Sequence, residues 1–145
     1  MLFSHDGIHD SQTQLSSPQY FYDQLRKEMA LSIRRKSPLA LIKVVFSKPD
    51  SNKVQAEDVI RFSYELSALT RTEDCVARLG MNEVIIIVPG GQDQLEPFLT
   101  RLMNATSLTV NYTLQVRFAH VLASEKENEL AVLDRLENAP LLCRV

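Results

Sequence analysis

Four glycines and two cysteines are all that this chain of 145 residues contains, and the shortage excludes several kinds of protein. Gly90-Gly91 follows an apolar run, but no further glycines complete a dinucleotide fingerprint, and no P-loop is present. There is no Gly-x-Ser-x-Gly elbow and no Cys-x-x-Cys pair. Cys75 and Cys143 lie far apart inside apolar stretches, which predicts buried free thiols rather than a disulfide. No apolar run approaches the ~18 residues of a membrane span. The first ten residues carry acids and histidines and lack the basic-then-apolar order of a secretion signal. An excess of one charge is missing too. A net charge of -2 gives no general attraction to nucleic acid or to an anionic membrane. What is present, 45% apolar and 23% charged residues, is enough for one soluble domain with a real core and too little for two.

Residues 1–16 are polar and aperiodic and read as an N-terminal arm or loop ahead of a single domain, 17–145. Ser17-Pro18 resembles an N-cap followed by proline at the first helical position. Phe21, Leu25 and Met29 then recur at helical spacing, predicting a helix over about 18–35 that ends on Arg34-Arg35-Lys36. Cations suit that end of a helix dipole, so the run does not call for nucleic acid. The run "PLALIKVVF" (38–46) predicts a strand buried on both faces. Val59, Phe62, Leu66 and Leu69 share a helical face, and strands are expected near 75–79 and 83–88. Leu95, Phe98, Leu99, Leu102 and Met103 mark a third helix. Leu114, Val116 and Phe118 alternate with Gln115, Arg117 and Ala119, which predicts a strand covered on one face. Ser124 and Glu127 form a capping-box pattern that would open a fourth helix through Leu130, Leu133 and Leu136. Pro140 ends it, and "LLCRV" is read as an edge strand. The order α-β-α-β-β-α-β-α-β predicts an α/β or α+β sandwich with a central sheet.

Direct chemical signals are sparse. His5-Asp6 and His9-Asp10 have the spacing of paired metal ligands, but nothing fixes a third donor, so no metal site is expected there. His120 has no acidic or cysteine neighbour in sequence and reads as a surface or core-edge residue. The tip of the hairpin is odd. A two-residue turn favours positive φ, which Asn82 tolerates and Met81 does not.

That hairpin, "DCVARLGMNEVIIIVP", resembles the signature of GGDEF domains, the diguanylate cyclase domains of bacteria. Their pattern is D-x-x-A-R-x-G-G-D-E-F, then an apolar strand and a proline. Asp74, Ala77, Arg78, Gly80, Glu83 and Pro89 match it. "DSQTQLSSPQYF" is similar to the family's opening D-x-L-T-G-L-x-N-R-x-x-F through Asp10, Thr13, Leu15 and Phe21, and "PLALIKVVF" is similar to its first strand, P-L-A-L-x-x-x-D-x-D. The resemblance implies a palm-like fold, a central, mostly antiparallel five-stranded sheet flanked by helices, and a bacterial cytosolic setting. Active members condense two GTP molecules to cyclic di-GMP, one per subunit of a dimer, with divalent metal on the triphosphate.

Measured against that pattern, the metal positions fall on Val45 and Ser47, and the signature reads Gly80, Met81, Asn82, Glu83, Val84, leaving Glu83 as the single acid. The aspartate that reads guanine aligns with Ala56, and the closing helix lacks the A-L-Y-x-A-K pattern. A methionine also fills the space that glycine leaves for a nucleotide. The resemblance therefore implies a degenerate domain without cyclase activity, cofactor or metal. One family motif persists. Arg71-Thr72-Glu73-Asp74 stands five residues before Gly80, where many cyclases carry the R-x-x-D site that binds cyclic di-GMP, with Arg101 as a candidate second arginine. An arginine fork donates to guanine O6 and N7, and a carboxylate accepts from its N–H groups. The expected partners are cyclic di-GMP and a protein or a second copy. The alternatives are a docking module that binds no nucleotide, through Met81, Val84 or the last helix, and a domain that holds GTP without turnover.

Overall fold

The computed structural model describes residues 9–49, 53–71 and 74–143. Helix α1 (Pro18–Arg35) starts where the sequence predicts, with Ser17 Oγ accepting from the Tyr20 amide at 3.2 Å. It buries Phe21, Leu25 and Met29, and Lys36 closes it in the left-handed region at φ 52°. β1 (Leu39–Ser47), α2 (Ala56–Leu69), β2 (Cys75–Gly80), β3 (Glu83–Pro89), α3 (Gln92–Asn104), β4 (Gln115–Leu122), α4 (Glu129–Glu137) and β5 (Leu142–Cys143) follow, with a short 3-10 turn over Thr106–Thr109. The sheet order is β2-β3-β1-β4-β5, and every ladder in it is antiparallel.

β1 is central, which explains its unbroken apolar run. Ala40, Ile42, Val44 and Phe46 pack with Val59, Phe62 and Leu66 of α2 and Leu95 and Leu102 of α3. Leu39 and Leu41 pack on the other face with Phe21 and Leu25 of α1 and Val132 and Leu136 of α4. The Phe46 and Phe62 rings stack 4.1 Å apart and are both buried. Fully burying a side chain of that size contributes on the order of 1.5–3 kcal/mol. The result is a three-layer arrangement in which α2 and α3 cover one face and α1 and α4 the other.

Four sequence expectations are corrected. β4 is covered on both faces, because α1 and α4 bury Ala119 and Val121 while the opposite layer buries Val116 and Phe118. Ser124 and Glu127 do not open α4. They form a turn in which the Glu127 carboxylate accepts from the Ser124 amide at 2.9 Å and binds Arg135 at 2.7 Å, and Asn128 caps the helix instead, accepting from the Ala131 amide at 2.8 Å. Leu130, expected on the covered face, is exposed, and Val132 is buried with Leu136 instead. The Arg135 guanidinium holds the Glu127 carboxyl below its usual range. The last correction concerns Cys143, which is exposed on the edge strand rather than buried.

Cys75 is half-buried, and burial, against an opposing hydrogen bond from Ser16, pushes its thiol up to about 11. At pH 8 only on the order of a thousandth of it is thiolate, and thiolate is the reactive form. Cys143 is therefore expected to react with a disulfide reagent at pH 8 at least about tenfold faster than Cys75. Equal rates in a peptide-mapped labelling time course would contradict this.

Candidate functional site

The hairpin between β2 and β3 has a different construction from the one its tip suggests. Met81 and Asn82 are absent from the residues with positive φ, so the turn uses ordinary backbone. The ladder instead shifts register between Arg78 and Gly80. Such a bulge adds the local twist that an ordinary turn does not supply. Asn82 ties the tip to β1. Its side-chain amide donates to the Phe46 carbonyl at 2.9 Å, and the Phe46 amide donates to the Asn82 carbonyl at 3.1 Å. Gly80 is not forced by the backbone, since a Cβ there would make only ordinary contact with Glu83 at 3.5 Å. Met81 is 58% exposed at the tip, and Val84 is buried, so Val84 is not part of an exposed apolar patch.

Beneath the tip, Arg78 is buried, and four acceptors among the described residues engage its fork. Its Nε donates to the Gly80 carbonyl at 3.1 Å and one terminal nitrogen to the Met81 carbonyl at 3.1 Å. The other terminal nitrogen binds the Asp10 carboxylate at 3.1 Å and the Gln12 amide oxygen at 2.6 Å. Asp10 also accepts from the amide and hydroxyl of Thr13, at 3.0 and 2.7 Å. Residues 9–16 thus form a turn docked on β2, with Leu15 buried. Asp10 is committed to this network rather than to a metal with His9, and His5 and Asp6 lie outside the described residues. Among the described residues no three His, Cys, Asp or Glu converge as a metal ion needs.

Glu83 lies opposite Val45 on β1. Its carboxylate is 3.2 Å from Lys43 Nζ, which also binds Glu137 of α4 at 3.0 Å. The Lys43 side chain is 7% exposed. Burial alone would lower its pKa, but the hydrogen bonds and charges of Glu137 and Glu83 outweigh that and raise it. By the alternation of β1, Lys43, Val45 and Ser47 share a face with Glu83. Sequence reasoning missed the roles of Lys43 and Arg78. The signal for Lys43 was one charge inside an apolar run, and for Arg78 and Asp10 it was that each matches a separate motif of the same family.

Arg71, Asp74 and Arg101 come together. All three line a cleft of about 350 Å³ between the α2–β2 connection, the end of β3 and α3, with Pro89, Pro97 and Phe98 in its wall. Thr72 and Glu73 lie outside the described residues. The Asp74 carboxylate accepts from the Arg71 amide at 2.9 Å, and the Asp74 amide donates to the Arg71 carbonyl at 3.0 Å. This small ring fixes both backbones and leaves the Arg71 guanidinium without a hydrogen bond or ion pair among the described residues. Arg101 lies 5.0 Å above the Phe98 ring and reaches the Leu69 carbonyl at 3.4 Å. The cleft offers two guanidinium forks, the partly engaged Asp74 carboxylate, a second carboxylate from Asp93 and an apolar wall.

No family model and no curated protein matches the chain, but solved structures do. The fold is that of GGDEF domains. The GGDEF domain of DgcB from Caulobacter crescentus, solved with c-di-GMP, superposes with a TM-score of 0.76 at 15% identity, over 94% of this chain and 87% of that one. The FimX GGDEF domain from Pseudomonas aeruginosa gives 0.69 at 18% identity, covering 90% of each. The diguanylate cyclase SiaD from the same species, solved with its activator SiaC, gives 0.77 at 16% identity over 90% of this chain and 55% of that one. No helix of the described residues is long and apolar enough to cross a membrane.

Proposed function

We propose that this chain is a catalytically inactive GGDEF-like regulatory domain that captures cyclic di-GMP with Arg71 and Asp74, assisted by Arg101. The observation that carries the reading is the meeting of these three side chains on one cleft, although Arg101 comes from α3 and the other two from the α2–β2 connection. Inactivity is supported by the donors at the metal position. The Val45 side chain carries no oxygen, that of Ser47 carries only a hydroxyl, and Glu83 is held by the Lys43 ammonium. That set does not fit a hard divalent cation, which requires several anionic or carbonyl oxygens. No catalytic step is assigned. The domain acts in the cytoplasm, and ligand capture alters a surface that a protein partner or second copy reads.

Calorimetric titration of cyclic di-GMP tests this. Micromolar or tighter binding is expected, weakened at least about 100-fold in Arg71→Ala/Asp74→Ala, because hydrogen bonds to charged groups contribute about 1.5–3 kcal/mol each. Silence from a folded wild-type protein would overturn the reading. It would favour a docking module instead, for which exposed Met81 at the hairpin tip is the specific feature.

A further inference from the structure

Arg71 and Asp74 also line a second cleft, of about 330 Å³, whose chemistry is different. Its remaining wall comes from the docked turn, through His9, Gln14 and Ser16, and from the end of α2, through Ser67 and Thr70. The first cleft has proline and aromatic surface, with Arg101 against Phe98. The second has three hydroxyls, an amide and an imidazole, and its one acid is Asp74, whose carboxylate already accepts from the Arg71 amide.

We propose that the site is bipartite: a guanine base occupies the cleft of Pro89, Phe98 and Arg101, and the attached phosphodiester lies in the hydroxyl-lined cleft of Ser16, Ser67 and Thr70, with Arg71 between them. This rests on the cyclic di-GMP reading above and adds a phosphate subsite to it. A planar base is favoured by flat apolar and guanidinium surfaces, and a phosphate by hydroxyl donors and an uncommitted arginine fork. The end of a helix ordinarily repels an anion. Here two of its last four carbonyls are covered: Ser67 O accepts from the amide and hydroxyl of Thr70, at 3.4 and 3.2 Å, and Leu69 O from Arg101 at 3.4 Å. The Thr70 hydroxyl is a local donor that can turn to a phosphate oxygen, and exposed Ser67 stands beside it.

The test compares Ser67→Ala/Thr70→Val with the wild-type full chain, with folding checked by circular dichroism. Cyclic di-GMP is expected to bind the variant about ten- to 100-fold more weakly, and GMP to bind the wild type at least about tenfold more tightly than guanosine, a difference that shrinks in the variant. Unchanged cyclic di-GMP affinity in the variant, with binding still lost in Arg71→Ala/Asp74→Ala, would overturn the phosphate subsite and leave the receptor reading standing. A wild type that binds no cyclic di-GMP would overturn both. The two failures are told apart by whether the wild-type titration gives heat.

Discussion

Asp10→Ala is expected to lower the unfolding free energy by about 3–5 kcal/mol, the usual cost of removing one partner of a buried ion pair. Both side chains of the Asp10–Arg78 pair are 3% exposed. Without the carboxylate, the Arg78 charge stays out of water and loses the Asp10 counter-ion, while the Thr13 amide and hydroxyl lose their acceptor. Asp10→Asn keeps an acceptor but not the charge and should fall between the two. Urea unfolding at neutral pH reads both variants. A loss below about 1 kcal/mol in Asp10→Ala would mean that residues 9–16 undock at little cost and that the turn is not part of the cooperative fold.

The second large effect concerns Lys43. Glu83→Gln/Glu137→Gln strands a buried ammonium between neutral amides, and a loss of about 3–5 kcal/mol is expected. Lys43→Met removes the buried charge itself and leaves Glu83 and Glu137, which are 27% and 68% exposed and stay in reach of water, so it should cost less than the double glutamate change. Each single glutamate change should cost less than half of the double change, because the other carboxylate remains. Glu137 is 68% exposed and contributes the smaller share. The pH dependence has a definite sign. The folded pKa of Lys43 is raised above its ordinary 10.5, so its stabilisation is fully present below that value and is lost as pH rises through the folded pKa. Wild type should therefore lose stability above about pH 10.5 relative to Lys43→Met, as chemical unfolding at pH 9 and 11 would show.

Much of this architecture was legible because burial leaves a periodic trace. The continuous run of β1 marked a strand covered on both faces, and Phe21, Leu25 and Met29 marked the buried side of α1. Local capping chemistry was less reliable. Ser124 and Glu127 have the right spacing, yet Asn128 offers a cap four residues on and Arg135 claims the glutamate, neither of which a short pattern reveals. β4 looked one-sided because its second face is made of Ala119 and Val121, small residues beside Arg117 and His120. The candidate cleft was half legible. Arg71 and Asp74 were found by their distance from the hairpin, but their sharing of a wall with Arg101, Phe98 and Pro97 depends on how α3 packs. Asp10 meets Arg78 across 68 residues of chain, a pairing that spacing alone does not disclose.

The docked turn has one more effect. The Ser16 amide donates to the Val76 carbonyl at 2.9 Å, and the Arg78 amide donates to the Ser16 carbonyl at 3.1 Å, so residue 16 occupies the outer margin of β2. An uncovered sheet margin offers its free amides and carbonyls to any extended chain that arrives. Ser16, kept in place by a carboxylate six residues earlier, acts as a stopper that ends the sheet. Loss of the Asp10–Arg78 pair therefore frees a sticky border as well as loosening the monomer, and the self-association that follows grows with protein concentration.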